Sequence, residues 1–456
     1  MMFAAVGRWS TRLTHDAGLS TRNWFVFGLT TETVIRDSSY DLIPLSREAS
    51  SLLTTRAFLR LDGIQQLGFV SRIWPGAKHT RFEHSLGVMH LMREALERLV
   101  QRGAAISDET ARTAIAAALL HDIGHYPFSH AIEELGPPVS THEAVGRELV
   151  LSDDIGSVLR HAWRVDPERV ARLIHPGTEE LPDEDRLVRG LLSGALDVDK
   201  LDYLPRDARA CHVPYGGVDT SRLLDALRVI EVDGRQVIGI DDKGVSPLHS
   251  LINARQEMFD NVYWHHTNRA CMAMLLRAVQ EAVLAGMPPS QLTRHDDASL
   301  MAALDTVDQP ETTRRLIGNL RDRRLHKRAI EISARAGDLY VYLSSLFTHP
   351  GRRRALENVM AARLRELTGL RVDQGDILID IPKPERWRTD VWVEFRRPPV
   401  GFTTVMPWYE VVGIRPEHLK AYEEHRRLIR IVAAAPIRDA VRAQWEQLLL
   451  PLLASR

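Results

Sequence analysis

Two short stretches restrict what this chain can fold into: "HTRFEHSLGVMH" at 79–90 and "HDIGHYPFSH" at 121–130. Each sets imidazoles and carboxylates into a segment that is otherwise apolar at helical spacing. Phe82, Leu86, Met89, Ala95, Leu96 and Leu99 recur at three- and four-residue steps, which predicts a helix that turns imidazoles as well as apolar side chains inward. "AIAAALL" (114–120) is apolar all round and predicts a helix buried on every side. His121 and Asp122 stand at its end, and Gly124 and Pro127 stop it. Burying such groups costs several kcal/mol unless they are paired or ligated. Asp199, in "LDVDKLDYLPRD", is a third placement of the same kind. One shared cation accounts for all of them. The two imidazoles of His84 and His121 and the carboxylates of Asp122 and Asp199 suit a divalent ion such as manganese, iron or zinc, or magnesium with more water in its shell. Ligands from separate helices converging in a bundle core are how helical proteins build such sites.

Further titratable residues follow. His125 lies four residues after His121, on the same face of any helical continuation. His130 and Glu133 are three apart at the head of the next helix, and His142 comes just beyond a Pro-Pro break. Histidines beside a metal serve as general acids or bases, or donate hydrogen bonds to a phosphate. A carboxylate next to such a histidine fixes its tautomer. Asp199, Tyr203 and Asp207 recur every four residues, with Pro205 expected to kink or end the helix before Asp207. Lys200 sits one step round from a ligand, where it would meet a phosphate; the competing reading of Tyr203 is a core tyrosine. His90 reads as a surface residue, and His79 carries no assignment.

The organisation expected around these motifs is mainly α: a helical domain with a smaller α+β C-terminal domain. The divisions are 1–34 (a tail and short strands), 35–340 (the helical domain) and 341–456 (the α+β domain). Residues 1–23 read as a disordered tail. From Ser46 to about Ala336 the pattern is helical. It includes a hairpin at 229–240 turning on Asp233-Gly234, and one long helix from Ser246-Pro247 to Gly286. Beyond about 340, "ILIDIP", "DVWVEF", "WYEVVGI" and "LIRIVAA" read as strands; "PEHLKAYEEH" and "RDAVRAQWEQLLLPLL" read as helices. The basic run at 314–328 reads as a solvated helix face. A formal net charge of −1 argues against general nucleic-acid or membrane-surface binding. No apolar run approaches the roughly 18 residues of a membrane helix. Two cysteines cannot build a disulfide framework, so a reducing, cytoplasmic setting is expected.

Taken together and in order, "HTRFEHSLG", "LLHDIGHYPFSH", "STHEAVG" and "LDVDKLDYLPRDA" resemble the HD-domain deoxynucleoside triphosphate triphosphohydrolases. The resemblance is closer to the branch of the mammalian dNTPase that restricts retroviruses and its bacterial relatives than to the enterobacterial dGTPase. It implies hydrolysis of a dNTP, dGTP among them, to deoxynucleoside and inorganic triphosphate. It makes His84, His121, Asp122 and Asp199 the ligands of one divalent metal per subunit, with room for a further magnesium on the triphosphate. His125 becomes an α-phosphate contact, and His130 the histidine nearest the scissile bond. Glu133 takes the place of its orienting carboxylate, and His142 is a further active-site histidine. Arg81, Lys200 and Arg255 match positions that neutralise the triphosphate. Gln66, Leu67, Tyr203 and Asp207 match the sugar pocket, and Tyr263 a residue near the base. Relatives assemble as dimers of dimers, so a homo-oligomer, dimer or tetramer, is implied. Two positions depart from the family pattern. Tyr126 replaces a glycine and is expected to narrow the pocket mouth. Asp62-Gly63 stands where many relatives carry a basic residue for an activating nucleotide. Two other readings use the same residues: an HD phosphodiesterase or nuclease acting on other nucleotides or single strands, and a nucleotide-responsive binding or defence protein with little turnover.

Overall fold

The stretch at 79–90 opens a helix, Arg81–Gln101, in a computed structural model that describes residues 25–384 and 389–450. The tail expected at 1–23 lies outside the described residues. At the helix start the Glu83 carboxylate accepts from the Thr80 N–H at 2.9 Å, which satisfies a backbone group that has no intrahelical partner. The inner face buries Leu86, Met89, Ala95, Leu96 and Leu99, and with them Arg81 and His84. The all-apolar segment falls in Asp108–Leu120, capped by Ser107 and begun by Asp108 and Glu109. These two helices pack on each other. Val198–Cys211, Pro167–Ile174 and Asp183–Leu192 close around them to form the main core.

The fold is mainly α, with three small sheets among the described residues. The first joins Phe25–Val26, Leu29–Asp37 and Asp41–Ser46 in an antiparallel meander. The second contains the expected hairpin, Leu227–Val232 with Arg235–Asp241. Its turn puts both Asp233 and Gly234 at positive φ (50° and 74°), the two-residue turn whose twist matches the strands. Trp392–Glu394 and Val405–Pro407 extend this sheet from much later in the chain. The third has Ile429–Ala433 at its centre, between Lys327–Ile332 and Ile377–Asp380. The boundary expected at 340 falls inside the helix Asp338–Ser345. On either side of it the chain mixes. Lys327–Ile332 belongs to the third sheet, while Val391, Val393, Phe395 and Trp408 are buried in the core of the helical body. A buried ion-pair bridge ties the parts together: Arg269 meets Glu134 at 2.9 Å and Asp380 at 2.6 Å.

Four expectations are corrected. The helix expected at 246–286 is interrupted: Val245–Met258 passes into a wide turn at Phe259–Tyr263, and a second helix runs His266–Leu284. His265 adopts extended backbone and its ring nitrogen accepts from the Thr267 N–H at 3.3 Å, so it caps the second helix and breaks the first. "WYEVVGI" is not a strand. Trp408–Val411 forms a helical turn because Trp408 is fully buried and its indole N–H donates to the Val245 carbonyl. "RDAVRAQWEQLLLPLL" divides into Arg438–Ala443 and Trp445–Leu449 before leaving the described residues. Val198–Cys211 also runs through Pro205 rather than ending there, and so carries Asp207 on the same helix as Asp199.

Gly124 has a role beyond ending a helix. A Cβ there would lie 2.1 Å from the His142 carbonyl oxygen and 2.3 Å from the Gly146 nitrogen. Only glycine lets the turn at 121–125 lie against His142–Leu151. Both opposing atoms are backbone, so Gly124→Ala is expected to lower stability by about 3 kcal/mol, read by urea denaturation; a loss below about 0.5 kcal/mol would show that the two segments separate freely.

Candidate metal and phosphate site

The turn after Asp108–Leu120 delivers His121, Asp122 and His125, and Arg81–Gln101 delivers Arg81 and His84. Val198–Cys211 delivers Asp199 from its first turn, where Asp197 caps the helix by accepting from the Lys200 N–H at 2.9 Å. The nitrogens of His84 and His121 and a carboxylate oxygen of Asp122 lie within 4.8 Å of one another. Asp199 Oδ1 is 3.0 Å from His84 Nε2 and 3.8 Å from His121 Nε2. Asp122 Oδ2 is 3.6 Å from His84 Nε2, and Asp122 Oδ1 is 3.2 Å from His121 Nε2. Three of the expected ligands thus form one close group, and Asp199 Oδ1 lies beside two of its nitrogens.

The donor set fits a divalent cation. Each imidazole has its other nitrogen engaged from behind: His84 Nδ1 lies 2.7 Å from Asp202 Oδ2, and His121 Nδ1 lies 2.8 Å from the Ala118 carbonyl. That arrangement puts the proton on Nδ1 and turns both Nε2 lone pairs to the centre. His121 Nε2 is buried without a hydrogen-bond partner. For His84, burial alone would lower the pKa, but hydrogen bonds with Asp199 and Asp202 carry it up to about 10. The surrounding carboxylates thus demand a positive charge at that nitrogen, and a metal ion supplies it without a proton. Asp122 is held well below the usual carboxylate range: burial opposes its charge, and Arg81, His121 and His125 override it.

A second cluster adjoins the first through Asp122. His125 Nε2 lies 3.1 Å from Asp122 Oδ1. The His125 ring stacks on that of His142 at 3.8 Å, and His130 meets both edge-on. His125, His130, Glu133 and His142 together form a second close group of potential donors. Burial, Arg81 and His142 push the His125 pKa well down, so its imidazole is neutral. Glu133 was expected to orient His130, yet its short bond goes to His142 Nδ1 (2.6 Å), with His130 Nδ1 at 3.6 Å. The His130 side chain is 58% exposed, the most open of the set. Arg81 is buried, with Nη1 2.5 Å from Asp122 Oδ2 and Nε donating to Ser129 Oγ at 3.1 Å. Ser129 in turn donates to the carbonyls of Gln65 and Gln66. Ser129 and its neighbour Phe128 both sit at positive φ, strain of the kind found at functional sites.

On the other side of the metal cluster, Tyr203 lies between His84 and Tyr263, with ring centres at 6.5 and 6.4 Å. The Tyr263 hydroxyl donates to Asp207 Oδ2 at 2.7 Å, and Asp207 Oδ1 is 2.7 Å from His79 Nε2. Gln66 is buried with its side-chain oxygen unpartnered, and Leu67 packs against the main core. Arg255 lays its guanidinium over Phe259, which packs edge-on to Tyr263. Two expected residues turn elsewhere. Lys200 is held by Asp197 (2.5 Å) and the Gly194 carbonyl (3.0 Å), one step away from the ligands. Tyr126 is buried and donates to the Ser140 carbonyl, so it packs beneath the site and does not narrow its mouth. Sequence reasoning missed Asp202, Ser129, Asp297 and the part of His79. Asp297 accepts from the backbone N–H groups of Gln65 and Phe128 and so fastens two site loops. Of these, Asp202 had a signal: a carboxylate on a mostly apolar helix, four residues before Arg206. His90, read as a surface residue, is half-buried against Tyr40.

The match to known families agrees with this geometry. Residues 81–207 match the HD domain and residues 218–395 the HD associated region. The chain belongs to the HD-domain family. All four expected ligands lie inside the matched HD segment. The chain is 33% identical to an uncharacterized protein of Methanocaldococcus jannaschii, over 59% of this chain and 54% of that one. It is 29% identical to the deoxynucleoside triphosphate triphosphohydrolase SAMHD1 of Homo sapiens, over 55% of this chain and 45% of that protein. The chain spans about half the length of the curated relatives it matches. A hypothetical protein from Aquifex aeolicus has the same fold, with a TM-score of 0.68 over 91% of this chain and 99% of that one, at 24% identity. No helix among the described residues is long and apolar enough to cross a membrane.

The Glu133–His142 pair gives the site a pH signature. Burial opposes charge on both. Each nevertheless favours the other's ion, so Glu133 is lowered well below its ordinary 4.5 and His142 is raised above its ordinary 6.5. The His142 contribution is complete below its unfolded value and fades as pH rises through the folded one. That of Glu133 is complete above its unfolded value and fades as pH falls through the folded one. In chelated protein, Glu133→Gln is expected to cost about 2 kcal/mol between about pH 4.5 and 6.5. The difference from the parent should shrink by pH 9. A pH-independent difference in urea titrations would mean the pair is not ionised.

Proposed function

We propose that the protein hydrolyses a dNTP to a deoxynucleoside and inorganic triphosphate. The carrying observation is the junction of two different clusters at Asp122. On one side stands a cation-binding set of His84, His121, Asp122 and Asp199. On the other stands a histidine set that can hold and move protons. A divalent ion held by the first set supplies charge neutralisation at the phosphoryl group and a more acidic water.

The chain's own residues do the rest. Neutral His125 has a single N–H, which here faces Asp122 Oδ1 at 3.1 Å; turned to the α-phosphate, it donates without adding charge. Arg81, clamped between Asp122 and Ser129, meets the phosphate as a fixed cation. His130, the most exposed of its group, delivers a proton to the departing 5′-oxygen, while Glu133 and His142 keep a charge pair beside it. Asp207, held by Tyr263 and His79, and the unpartnered side-chain oxygen of Gln66 meet the sugar 3′-hydroxyl. Tyr203 packs against the deoxyribose face. Polar groups left unpaired by a wrong sugar reject it strongly.

With manganese and any of the four dNTPs, the purified protein is expected to release inorganic triphosphate, read by chromatography. Release of pyrophosphate or orthophosphate would reject the proposed bond, and faster breakdown of a labelled oligonucleotide would move the assignment to a nuclease. His130→Ala is expected to lower kcat by about 10²–10⁴-fold with metal content nearly intact.

A further inference from the structure

Three side chains converge on a carboxylate that the donor set does not include. Asp202 is buried, and both its oxygens are fully engaged. Oδ2 lies 2.7 Å from His84 Nδ1 and accepts from Arg206 Nε at 2.9 Å. Oδ1 accepts from the Tyr40 hydroxyl at 2.8 Å and from Arg206 Nη2 at 2.9 Å. Arg206 reaches on to Asp37, donating from Nη1 to Oδ2 at 2.9 Å. Asp37 Oδ1 also accepts from the backbone N–H groups of Ser39 and Tyr40, at 2.7 and 3.1 Å. That turn folds the loop between Leu29–Asp37 and Asp41–Ser46 back on itself and brings Tyr40 to Asp202.

The helix opposite leaves room for this arrangement. A Cβ at Gly87 would lie 1.9 Å from Asp202 Oδ1 and 2.6 Å from Arg206 Nη2. Gly87 stands three residues after His84 on Arg81–Gln101. The absence of a side chain at that one position is what lets the Asp202–Arg206 pair lie against the helix and reach the imidazole.

We infer that Tyr40 is a positioning residue for the metal site: through Asp202 it fixes the ring orientation and tautomer of His84, so the N-terminal hairpin is part of the metal-binding machinery. The inference rests on the reading of His84 as a ligand. A carboxylate behind a ligating histidine holds the ring and raises its basicity, and losing such a partner costs about 10–100-fold in metal affinity. Tyr40 adds a donor on Oδ1, the oxygen that does not face His84, and together with the two-point grip of Arg206 it fixes the plane of the Asp202 carboxylate.

The test uses the full chain, stripped with chelator and titrated with Mn²⁺ by calorimetry, with thermal melting of the metal-free form alongside. Tyr40→Phe keeps the ring that packs against His90 and removes only the hydroxyl. It is expected to weaken Mn²⁺ binding about tenfold, and Asp202→Asn up to about 100-fold. A merely structural role would lower the melting temperature of the metal-free protein and leave the Mn²⁺ dissociation constant of the folded protein unchanged. His84→Ala separates the two levels of the argument. If it binds Mn²⁺ as the parent does, the ligand reading fails. If it loses binding while Tyr40→Phe keeps parental affinity, the positioning role of Tyr40 is overturned. Should Asp202→Asn not fold, because Arg206 is left short of a partner, the Mn²⁺ affinity of Tyr40→Phe decides by itself between positioning and a merely structural role.

Discussion

A carboxylate buried at the foot of an all-apolar helix must find hydrogen-bond donors and counter-charge, and the site is organised around meeting that demand at Asp122. Arg81 takes one oxygen, His121 and His125 flank the other, and His84 faces it across the cluster. Removing any one of these leaves an uncompensated charge in a place where water cannot reach it, which is far more costly than never having buried it. The same logic propagates outward. Each imidazole that turns a lone pair inward needs a partner behind it, and each such partner, Asp202 most clearly, needs its own cations and donors. The result is a set of polar groups spread over the hairpin, three helices and two loops, whose bonds form together only in one mutual arrangement.

The candidate ligands were legible because their cost was legible. His121-Asp122 ended a run in which every other residue was apolar, and Asp199 interrupted another; a polar group in such a place requires an explanation. The helix period and the Asp233-Gly234 hairpin were equally plain, since both follow from local chemistry. What the sequence hid was long-range. Tyr40 and Asp37 are more than 160 residues from the carboxylate and the arginine they bind, and nothing local to a short hairpin announces such a contact. Asp297 fastens Gln65 and Phe128 over a comparable span. Trp408 turned a strand-like heptapeptide into a helical turn by inserting into a core built from other parts of the chain.

Other misreadings came from treating a residue's neighbours in sequence as its neighbours in space. Tyr126 lies between two site histidines, yet it points into the second core cluster with Ile132 and Met274. Lys200 follows a ligand directly, but the cap at Asp197 draws its ammonium back along its own helix. His265 broke a helix that apolar periodicity alone carried straight through, and that break is what leaves Tyr263 free to turn its hydroxyl to Asp207. In each case tertiary pairing of a polar group prevailed over local pattern.

The way the last third of the chain threads back into the rest has a consequence for how the molecule comes into being. Ile429–Ala433 is the middle strand of its sheet, Trp408 completes a core begun hundreds of residues earlier, and Arg269 waits for Asp380. A chain still emerging from a ribosome therefore holds its helical body unfinished, with an arginine lacking its second counter-ion and a gap where an indole belongs. Closing those gaps requires contacts of large sequence separation, which form late and slowly. The core that carries the candidate metal cluster is therefore complete only once residues beyond 400 have been made.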